Sequence, residues 1–538
     1  MSTFGRGSNS PERTGHAGER HISRRAMLRV AGGTALAGIA GAVAARAQIT
    51  GLMPGGGRLP FRLPLGAMTY LDRNQYISNM EIISHIPEYR TAGGEPLMSM
   101  WAKGAQRLLP CGRGWVDVTD PKKPTFVGTG DTRTGGCVAY NTRLRKWLMV
   151  VTVAEPHAGR TPKWPYGQFQ PEVRERLLAY KGLRGIRVYD ITNPVRPNLL
   201  SEFSTGEAGE GPHMNFYDGG RYAYLDAGFS PNLRWEDIGR TAGSGLMIVD
   251  MTDPTSVKEV SRYWVPGQMI GEEEEYKKYW FADSLSAWVG SHGAPSVPVR
   301  VEDGGTVGYG GFGHFGMICF DLRDIKNPKP YGIAKWDHET LGGVPYHTVY
   351  PVIADSRHPR LQNLVIGVPE TLQADCREPY KAIQVIDVAD PRDPRVIGIF
   401  PRPKAPRDAP YTDFCLARGR FGSHNIQCWV APGTSRPEIV VLSFFNAGIR
   451  VFDISDPTLP REVAWFVPPR GGEIEDFTTW FRGEGESVFV EWDRNLIWFG
   501  CGNSGSYCLS CPALGKPVLE PRPIPHWTKP HLNAGWDA

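Results

Sequence analysis

The sequence has little net charge once its first residues are set aside, and it has no apolar run long enough to span a membrane comfortably. Residues 1–47 hold seven arginines and two glutamates, so the remainder has 53 basic and 54 acidic residues, a net charge of about −1 with neutral histidines. Nucleic-acid binding normally requires a basic surface, and no basic amphipathic helix suggests membrane attachment. We therefore expect no nucleic-acid partner and no stable membrane anchor.

Several catalytic signatures are also missing. The glycine-rich GYGGFGHFG of 308–316 lies inside a strand pattern, so it is neither a P-loop nor a dinucleotide fingerprint. No G-x-S-x-G nucleophile elbow occurs in a suitable setting. The C-x-x-C of 508–511 is followed by Pro512, whereas covalent haem attachment requires His. The common nucleotide, serine-hydrolase and c-type haem sites are thereby excluded.

Cysteine is scarce and odd in number, with nine residues in 538. At least one is therefore unpaired within the chain. Cys501, Cys508 and Cys511 lie close together, and two of them could form a disulfide in an oxidising compartment or remain thiols. A single C-x-x-C without a second pair is weak support for zinc.

The first 47 residues read as a twin-arginine export signal. The paired arginines of SRRAML (23–28) precede a short apolar run at 31–45, and an A-x-A cleavage site follows at 45–47. This pattern predicts a periplasmic protein that meets the twin-arginine export machinery as a folded chain, with a mature start near Gln48. An uncleaved anchor is the alternative.

One strand-and-turn pattern recurs along the rest of the chain. Alternating apolar residues end in Asp, and an Asn/Asp-Pro turn follows. The copies are GWVDVTDP (114–121), GIRVYDITNP (185–194), GLMIVDMTDP (245–254), GMICFDLRDIKNP (316–328), AIQVIDVADP (382–391) and GIRVFDISDP (448–457). Each is followed by another apolar stretch and is preceded by two more strand patterns, so each unit has four strands.

Repeated four-stranded units are typical of a β-propeller. A seventh unit without the Asp-Pro turn occupies 486–511. The sequence thus predicts an all-β, seven-bladed β-propeller of four-stranded antiparallel blades. The expected layout is a signal peptide at 1–47, an N-terminal extension at 48–75, the propeller at 76–520 and a tail at 521–538. Two separate sandwich domains are the alternative.

These repeats resemble those of the LVIVD-repeat family of β-propeller proteins. The resemblance covers six units across most of the mature chain. It implies the architecture, but the repeat occurs in proteins of diverse function, so it implies no catalytic residue.

Four units place a histidine at the start of their first, innermost strand. The segments read GPHMNF, GSHGAP, PYHTVY and GSHNIQ, and they supply His213, His292, His347 and His424. Blade 2 has Cys137 at the corresponding place. Because innermost strands begin on one rim, we expect the four imidazoles to converge at the mouth of the channel and to bind a transition metal ion, namely Fe, Cu, Zn or Mn. Repeats also copy structural residues, so an inherited packing role is the alternative.

The second strand of each blade ends on that same rim, where further polar residues occur. They are Glu155 and His157 in blade 2, Asp226 in blade 3, His314 in blade 4, Glu370 in blade 5 and Asn446 in blade 6. We expect Glu370, Asp226, Glu155, His314 and His157 to orient ligands or to move protons. His85, His338, His358, His526 and His531 do not share this alignment.

The expected function is that of an exported metal-dependent enzyme, an oxidoreductase acting on a small organic substrate at the propeller mouth. The arrangement is similar to that of carotenoid-cleaving oxygenases and of the methanethiol oxidase family, although neither family's sequence motifs occur here. A non-catalytic propeller that binds a protein or carbohydrate on its rim is the alternative. Its support is a set of aromatic residues that the sequence places in loops, namely Trp164, Tyr166, Trp235 and Trp280.

Overall fold

A computed structural model describes most of the chain downstream of the signal. The described residues are 72–89, 99–110, 114–128, 136–153, 179–206, 211–230, 232–233, 244–275, 290–335, 344–371, 376, 379–417, 419–428, 430–470, 485–502, 504–524 and 527. Residues 1–47, where the export signal is predicted, lie outside these ranges, as do Glu155 and His157. In the described part, no helix combines the length and apolar character needed to cross a membrane.

The structure confirms a seven-bladed β-propeller built from antiparallel sheets. Blades 1 to 3 each have four strands. These are β3 Trp101–Lys103, β4 Gln106–Pro110, β5 Trp115–Asp117 and β6 Thr125–Val127 in blade 1; β7 Cys137–Asn141, β8 Lys146–Val153, β9 Gly185–Asp190 and β10 Asn198–Ser204 in blade 2; and β11 Gly211–Phe216, β12 Tyr222–Gly228, β13 Gly245–Asp250 and β14 Lys258–Tyr263 in blade 3.

Blade 4 has three regular strands, and a segment near Ser296 takes the place of the innermost one. Ser296 and Tyr309 exchange two backbone hydrogen bonds of 2.9 Å. The strands of blades 4 and 5 are β15 Val307–Gly311, β16 Met317–Asp321 and β17 Lys329–Ala334 in blade 4, and β18 Val344–Pro351, β19 Leu364–Glu370, β20 Gln384–Asp387 and β21 Arg395–Ile399 in blade 5.

The last two blades recruit the N-terminal strands of the propeller. The strands are β22 Ser423–Ile426, β23 Ile439–Phe444, β24 Gly448–Asp453, β25 Arg461–Val467 and β1 Tyr76–Ser78 in blade 6, and β26 Gly485–Glu491, β27 Leu496–Cys501, β28 Gly505–Ser510 and β2 Glu81–Ile86 in blade 7. Because β2 pairs with β28, the second and the last of the described strands share one sheet and close the ring.

Short 3₁₀ helices connect some of these strands. They are Val301–Asp303, Gly313–Phe315, Pro359–Leu361, Phe414–Leu416, Phe445–Ala447 and Pro512–Leu514. Two of them, Gly313–Phe315 and Phe445–Ala447, lie between the second and third strands of their blades. Both therefore lie on the rim where the innermost strands begin.

The repeated turn has the chemistry that its sequence predicts. In all six copies, the Asp side chain at the end of the third strand accepts a hydrogen bond from the backbone N–H two residues later. The six acceptors are Asp117, Asp190, Asp250, Asp321, Asp387 and Asp453, at N···O distances of 2.7–3.0 Å. The turn then directs the chain into the outer strand of the blade.

A buried cluster of charged residues joins blade 7 to blade 1 on the opposite rim. Arg107 of blade 1 donates a 2.7 Å hydrogen bond to the Asp493 carboxylate. Arg494 pairs with Glu491 at 2.8 Å and also donates to backbone carbonyls of blade 1. Arg107, Glu491 and Arg494 have no exposed side-chain surface. This cluster and strand β2 together hold the closing junction.

The disulfide lies elsewhere than the cysteine spacing suggested. Cys501, Cys508 and Cys511 are buried free thiols, and Cys376 is bonded to Cys415 instead. In the β27–β28 ladder, Cys508 faces Trp498, which is three residues from Cys501. Three residues of strand span about 10 Å, which exceeds the Cα separation that a disulfide tolerates.

Candidate functional site

The four predicted histidines lie together in one arc. Ring centroids are 4.9 Å apart between His213 and His292, 4.3 Å between His292 and His347, and 5.0 Å between His347 and His424. The three later histidines are at most 6 % exposed, whereas His213 is exposed at the end of the arc. The shared register of blades 3 to 6 therefore produces a shared location.

Backbone irregularities at the strand starts accompany this placement. The pairing register shifts between Pro212 and Met214 in blade 3, so His213 lies at the shift. The same occurs around His347 in blade 5 and around His424 in blade 6. A β-bulge bends a strand locally and changes the direction of a side chain. The bulges thus give these three histidines a direction that regular pairing would not.

Blade 7 has a glutamate at the equivalent bulge. The register of β26 shifts between Gly485 and Ser487, which places Glu486 there. Its carboxylate Oε2 lies 3.3 Å from Nδ1 of His424, and its side chain is buried. Sequence reasoning missed Glu486 because it searched for a repeated histidine. The available signal was a glycine at the strand start: Gly485 is one position before Glu486, and Gly211 and Gly422 are two positions before the histidines of blades 3 and 6.

Glu370, at the end of β19, lies among the imidazoles. Its Oε2 is 3.4 Å from Nε2 of His292 and 3.7 Å from Nε2 of His347, and its Oε1 is 3.8 Å from Nε2 of His424. These separations exceed good hydrogen-bond lengths. Ligand atoms bound tetrahedrally at about 2.1 Å would be about 3.4 Å apart. The Glu370 carboxylate is therefore about as far from each imidazole as two ligands of one metal ion are from each other.

Arg420 is a second site residue that the sequence did not reveal. Its Nη1 donates a 2.9 Å hydrogen bond to Oε1 of Glu370, and its Nη2 lies 3.5 Å from Oε1 of Glu486. The guanidinium carbon lies 3.5 Å from the centroid of the Phe445 ring, which also stacks on His424. Arg420 is 1 % exposed. It brings one positive charge to two buried carboxyl groups.

Hydrogen bonds at Nδ1 orient two of the imidazoles. Nδ1 of His424 lies 3.0 Å from the backbone carbonyl oxygen of Glu486. A carbonyl oxygen can only accept, so in this contact Nδ1 carries the proton and Nε2 keeps its lone pair. Nδ1 of His347 lies 2.6 Å from the Thr348 hydroxyl. In both residues it is Nε2 that approaches Glu370, as is required of a ligand.

Burial keeps the imidazoles neutral. It lowers the pKa values of His292, His347 and His424 well below the ordinary histidine value, and neighbouring imidazoles or Arg420 act in the same direction. Burial also raises the pKa of Glu486 to about 7, with Arg420 opposing the shift. Neutral imidazoles beside a carboxylate form a set of metal-binding donors.

The closest set of donor atoms does not include every predicted site residue. Among the described residues, the donor atoms of His292, His347 and Glu370 all lie within 4.8 Å of one another. Asp226 is fully buried in β12, and His314 is buried in its 3₁₀ helix, but neither belongs to that group. Glu155 and His157 lie outside the described residues, as do the aromatic residues on which the binding alternative depends.

Other polar residues at or near this rim have local hydrogen bonds. The Cys137 thiol donates to the backbone carbonyl of Asn215 at 3.0 Å. The Asn446 side chain donates to the carbonyl of Phe414 at 3.1 Å. His85 stacks on Tyr507 and lies on the outermost strand of blade 7, whereas the four histidines lie at the start of the innermost strands. The expectation that His85 stands apart from the histidine ring agrees with this position.

Comparison with known proteins found similarity to one repeat family and to solved structures. The LVIVD repeat model matches residues 241–265, which contain the third and fourth strands of blade 3. The chain is also similar to the crystal structure of Saccharomyces cerevisiae Sqt1, at 8% identity over 82% of this chain and 85% of that one, with a TM-score of 0.40. The β-propeller domain of Myceliophteria thermophila Cps50 (Swd1) gives 9% identity, 81% and 99% coverage, and a TM-score of 0.40. No curated protein matches the sequence.

Proposed function

We propose that the chain is a metal-dependent oxidoreductase that acts on a small organic molecule at the histidine-bearing rim. The proposal rests on one observation: the carboxylate of Glu370 lies 3.4–3.8 Å from three imidazole Nε2 atoms without a short hydrogen bond to any of them. His292, His347 and Glu370 form the core of the donor set. His424 supplies a fourth donor, and His213 extends the arc towards solvent.

The chemistry of this donor set favours iron. Two imidazoles and one carboxylate that leave coordination positions open are the ligands of non-haem iron oxygenases, although imidazole also suits zinc, copper and manganese. When bound, such a metal supplies redox chemistry that no side chain of this site supplies alone. His213 is exposed at the end of the arc, and in this proposal a small substrate reaches the site from that side.

The chain's own residues have three roles in this proposal. The buried imidazoles offer neutral nitrogen donors. Arg420 offsets the carboxylate charge at 2.9 Å, so that a carboxylate can remain ionised inside the protein. Hydrogen bonds at Nδ1 of His424 and His347 fix the imidazole orientations, as the partners of metal-bound histidines do elsewhere.

We also propose that the protein acts after export to the periplasm. The paired arginines and the A-x-A site of residues 1–47 support this proposal. The Cys376–Cys415 disulfide is in accord with it, because disulfides persist in oxidising compartments and are rare in the cytosol.

Metal analysis tests the proposed function. The protein is purified from an exporting host, and its metal content is compared with that of His347→Ala, Glu370→Gln and the control His85→Ala. We expect one transition metal ion per chain in the wild type and the control, and loss of the metal in the two site variants. A wild-type chain that stays metal-free, even after incubation with Fe²⁺, Cu²⁺, Zn²⁺ or Mn²⁺, would contradict the proposal and favour a non-catalytic binding propeller.

A further inference from the structure

The disulfide joins the two chain segments that carry opposite charges of the site. Cys376 follows Glu370 by six residues, and Cys415 precedes Arg420 by five. The two Cα atoms are 5.4 Å apart, although the cysteines are separated by 39 positions and belong to different blades. The covalent bond therefore joins the β19–β20 connection of blade 5 to the segment that leads into blade 6, and both cysteines lie within six positions of a charged site residue.

Hydrogen bonds also connect residues 369–371 to residues 421–423. The Ser423 hydroxyl donates to the Pro369 carbonyl at 2.7 Å, and the Thr371 hydroxyl donates to the Phe421 carbonyl at 3.1 Å. Arg420 reaches both Glu370 and the Thr371 carbonyl. The end of β19 and the start of β22 are thus held in one arrangement, which sets where the Glu370 carboxylate lies relative to His424.

The Cys415 side of the disulfide is anchored independently. Asp413 caps the 3₁₀ helix Phe414–Leu416 by accepting a 2.8 Å hydrogen bond from the Cys415 backbone N–H. Arg402 in turn forms a 2.8 Å ion pair with Asp413. Asn446 donates to the Phe414 carbonyl, which connects this helix to the rim of blade 6. Through the disulfide, this anchored turn is joined to Cys376, which follows Glu370 by six positions.

We propose that the Cys376–Cys415 disulfide fixes Glu370 in its position among the imidazoles, so that metal affinity is high only in the oxidised chain. This inference rests on the proposed metal site. Both cysteines are partly exposed, so a reductant has access to the bond. Reduction transfers two electrons and two protons from a dithiol reductant to the disulfide, giving two thiols here and a disulfide in the reductant.

We expect reduction of the disulfide to weaken metal binding as much as the loss of a residue that orients a metal ligand does. Such losses weaken metal binding roughly 10–100-fold. The metal would bind tightly only after the disulfide has formed, which in an exported protein happens in the oxidising compartment. Oxidation would thereby complete the site at the place where the protein acts.

Co²⁺ titration of three forms of the full mature chain tests the proposal. The forms are the oxidised wild type, the wild type reduced with dithiothreitol and freed of reductant anaerobically, and the Cys376→Ser/Cys415→Ser variant. Calorimetry gives the Co²⁺ affinity, and near-ultraviolet circular dichroism checks that each form is folded. We expect the reduced wild type and the double variant to bind Co²⁺ roughly 10–100-fold more weakly than the oxidised wild type. Treatment of the double variant with reductant should change nothing further.

The outcomes separate this inference from the proposed function. Equal Co²⁺ affinity in oxidised and reduced wild type, both folded, would overturn the disulfide's role and leave the metal site intact. Failure of the oxidised wild type to bind Co²⁺ would overturn both. Should the double variant not fold, the comparison of oxidised and reduced wild type decides alone, because it needs no substitution.

Discussion

Replacing Arg420 with Met should reveal how much the site depends on one buried charge. Arg420 is 1 % exposed and lies 2.9 Å from the Glu370 carboxylate. Met keeps most of the apolar stem on Phe445 but removes the guanidinium. Breaking a buried ion pair by deleting one partner typically costs about 3–5 kcal/mol. We apply this range to the ion pair between Arg420 and Glu370 alone. The pKa of Glu486 is raised to about 7, so at pH 7 this second carboxyl group is only partly ionised.

A bound metal should offset part of this loss. In Arg420→Met, a divalent cation held by Glu370 replaces the missing positive charge beside the carboxylate. A ligand at 100 times its Kd adds about 2.7 kcal/mol to the free energy of unfolding. When both proteins are metal-free, the variant should therefore be less stable than the wild type. Metal at 100 times the variant's own Kd should raise the variant's free energy of unfolding by about 2.7 kcal/mol.

Urea unfolding followed by tryptophan fluorescence, with and without Co²⁺, measures both effects. Arg402→Met is the matched control, because Arg402 also lies over an aromatic ring but its ion pair with Asp413 is more than a third exposed. Exposed pairs contribute at most about 1 kcal/mol. The control variant should unfold within that margin of the wild type.

A double-mutant cycle identifies the cause of the Arg420 effect. If an uncompensated carboxylate is responsible, adding Glu370→Gln to Arg420→Met should recover part of the lost stability. The charge argument would be refuted if Arg420→Met unfolded at the wild-type urea concentration. It would also be refuted if the double variant were no more stable than the single one.

Three further predictions concern the scaffold. Arg107→Met should lower the free energy of unfolding by about 3–5 kcal/mol in urea titrations, because it removes the 2.7 Å ion-pair partner of the buried Asp493 carboxylate at the closing junction. A chain lacking residues 81–86 should expose the edge of β28 and self-associate in size-exclusion chromatography, unlike the full chain. A hydrogen bond from Arg323 lowers the pKa of Asp321 to about 2, below its value in the unfolded chain. The ionised Asp321 therefore contributes to the free energy of unfolding above pH 4, and this contribution is lost as the pH falls towards 2. Asp321→Asn should flatten that part of the plot of unfolding free energy against pH.

The blades were predictable because their chemistry is local. Within each copy, an Asp side chain bonds a backbone N–H two residues away, and Pro restricts the next turn. For example, Asp190 bonds the N–H of Thr192, and the same geometry recurs in every copy. A contact between residues two positions apart requires the same residue types at the same spacing in every copy, so it is visible in the sequence. Repetition then indicated the architecture.

The site was only partly predictable because two of its charged residues depend on distant contacts. The histidines share a register, so their common location followed from alignment. Glu486 and Arg420 have no repeated counterpart, and their roles appear only when blades 5, 6 and 7 are adjacent. The Cys376–Cys415 pairing likewise joins two blades across 39 positions, a distance at which spacing alone says nothing about contact.

The position of Glu486 makes the candidate site depend on closure of the ring. Glu486 is on the innermost strand of blade 7, and the outermost strand of that blade is β2 from the N-terminal end of the propeller. Its carbonyl orients His424 of blade 6, and its carboxyl group faces Arg420. A propeller whose seventh blade lacks β2 would lose its support on the blade 7 side of the site. The geometry of the proposed metal site is therefore a property of the closed ring, although its histidines come from local strand starts and Glu370 from a strand end.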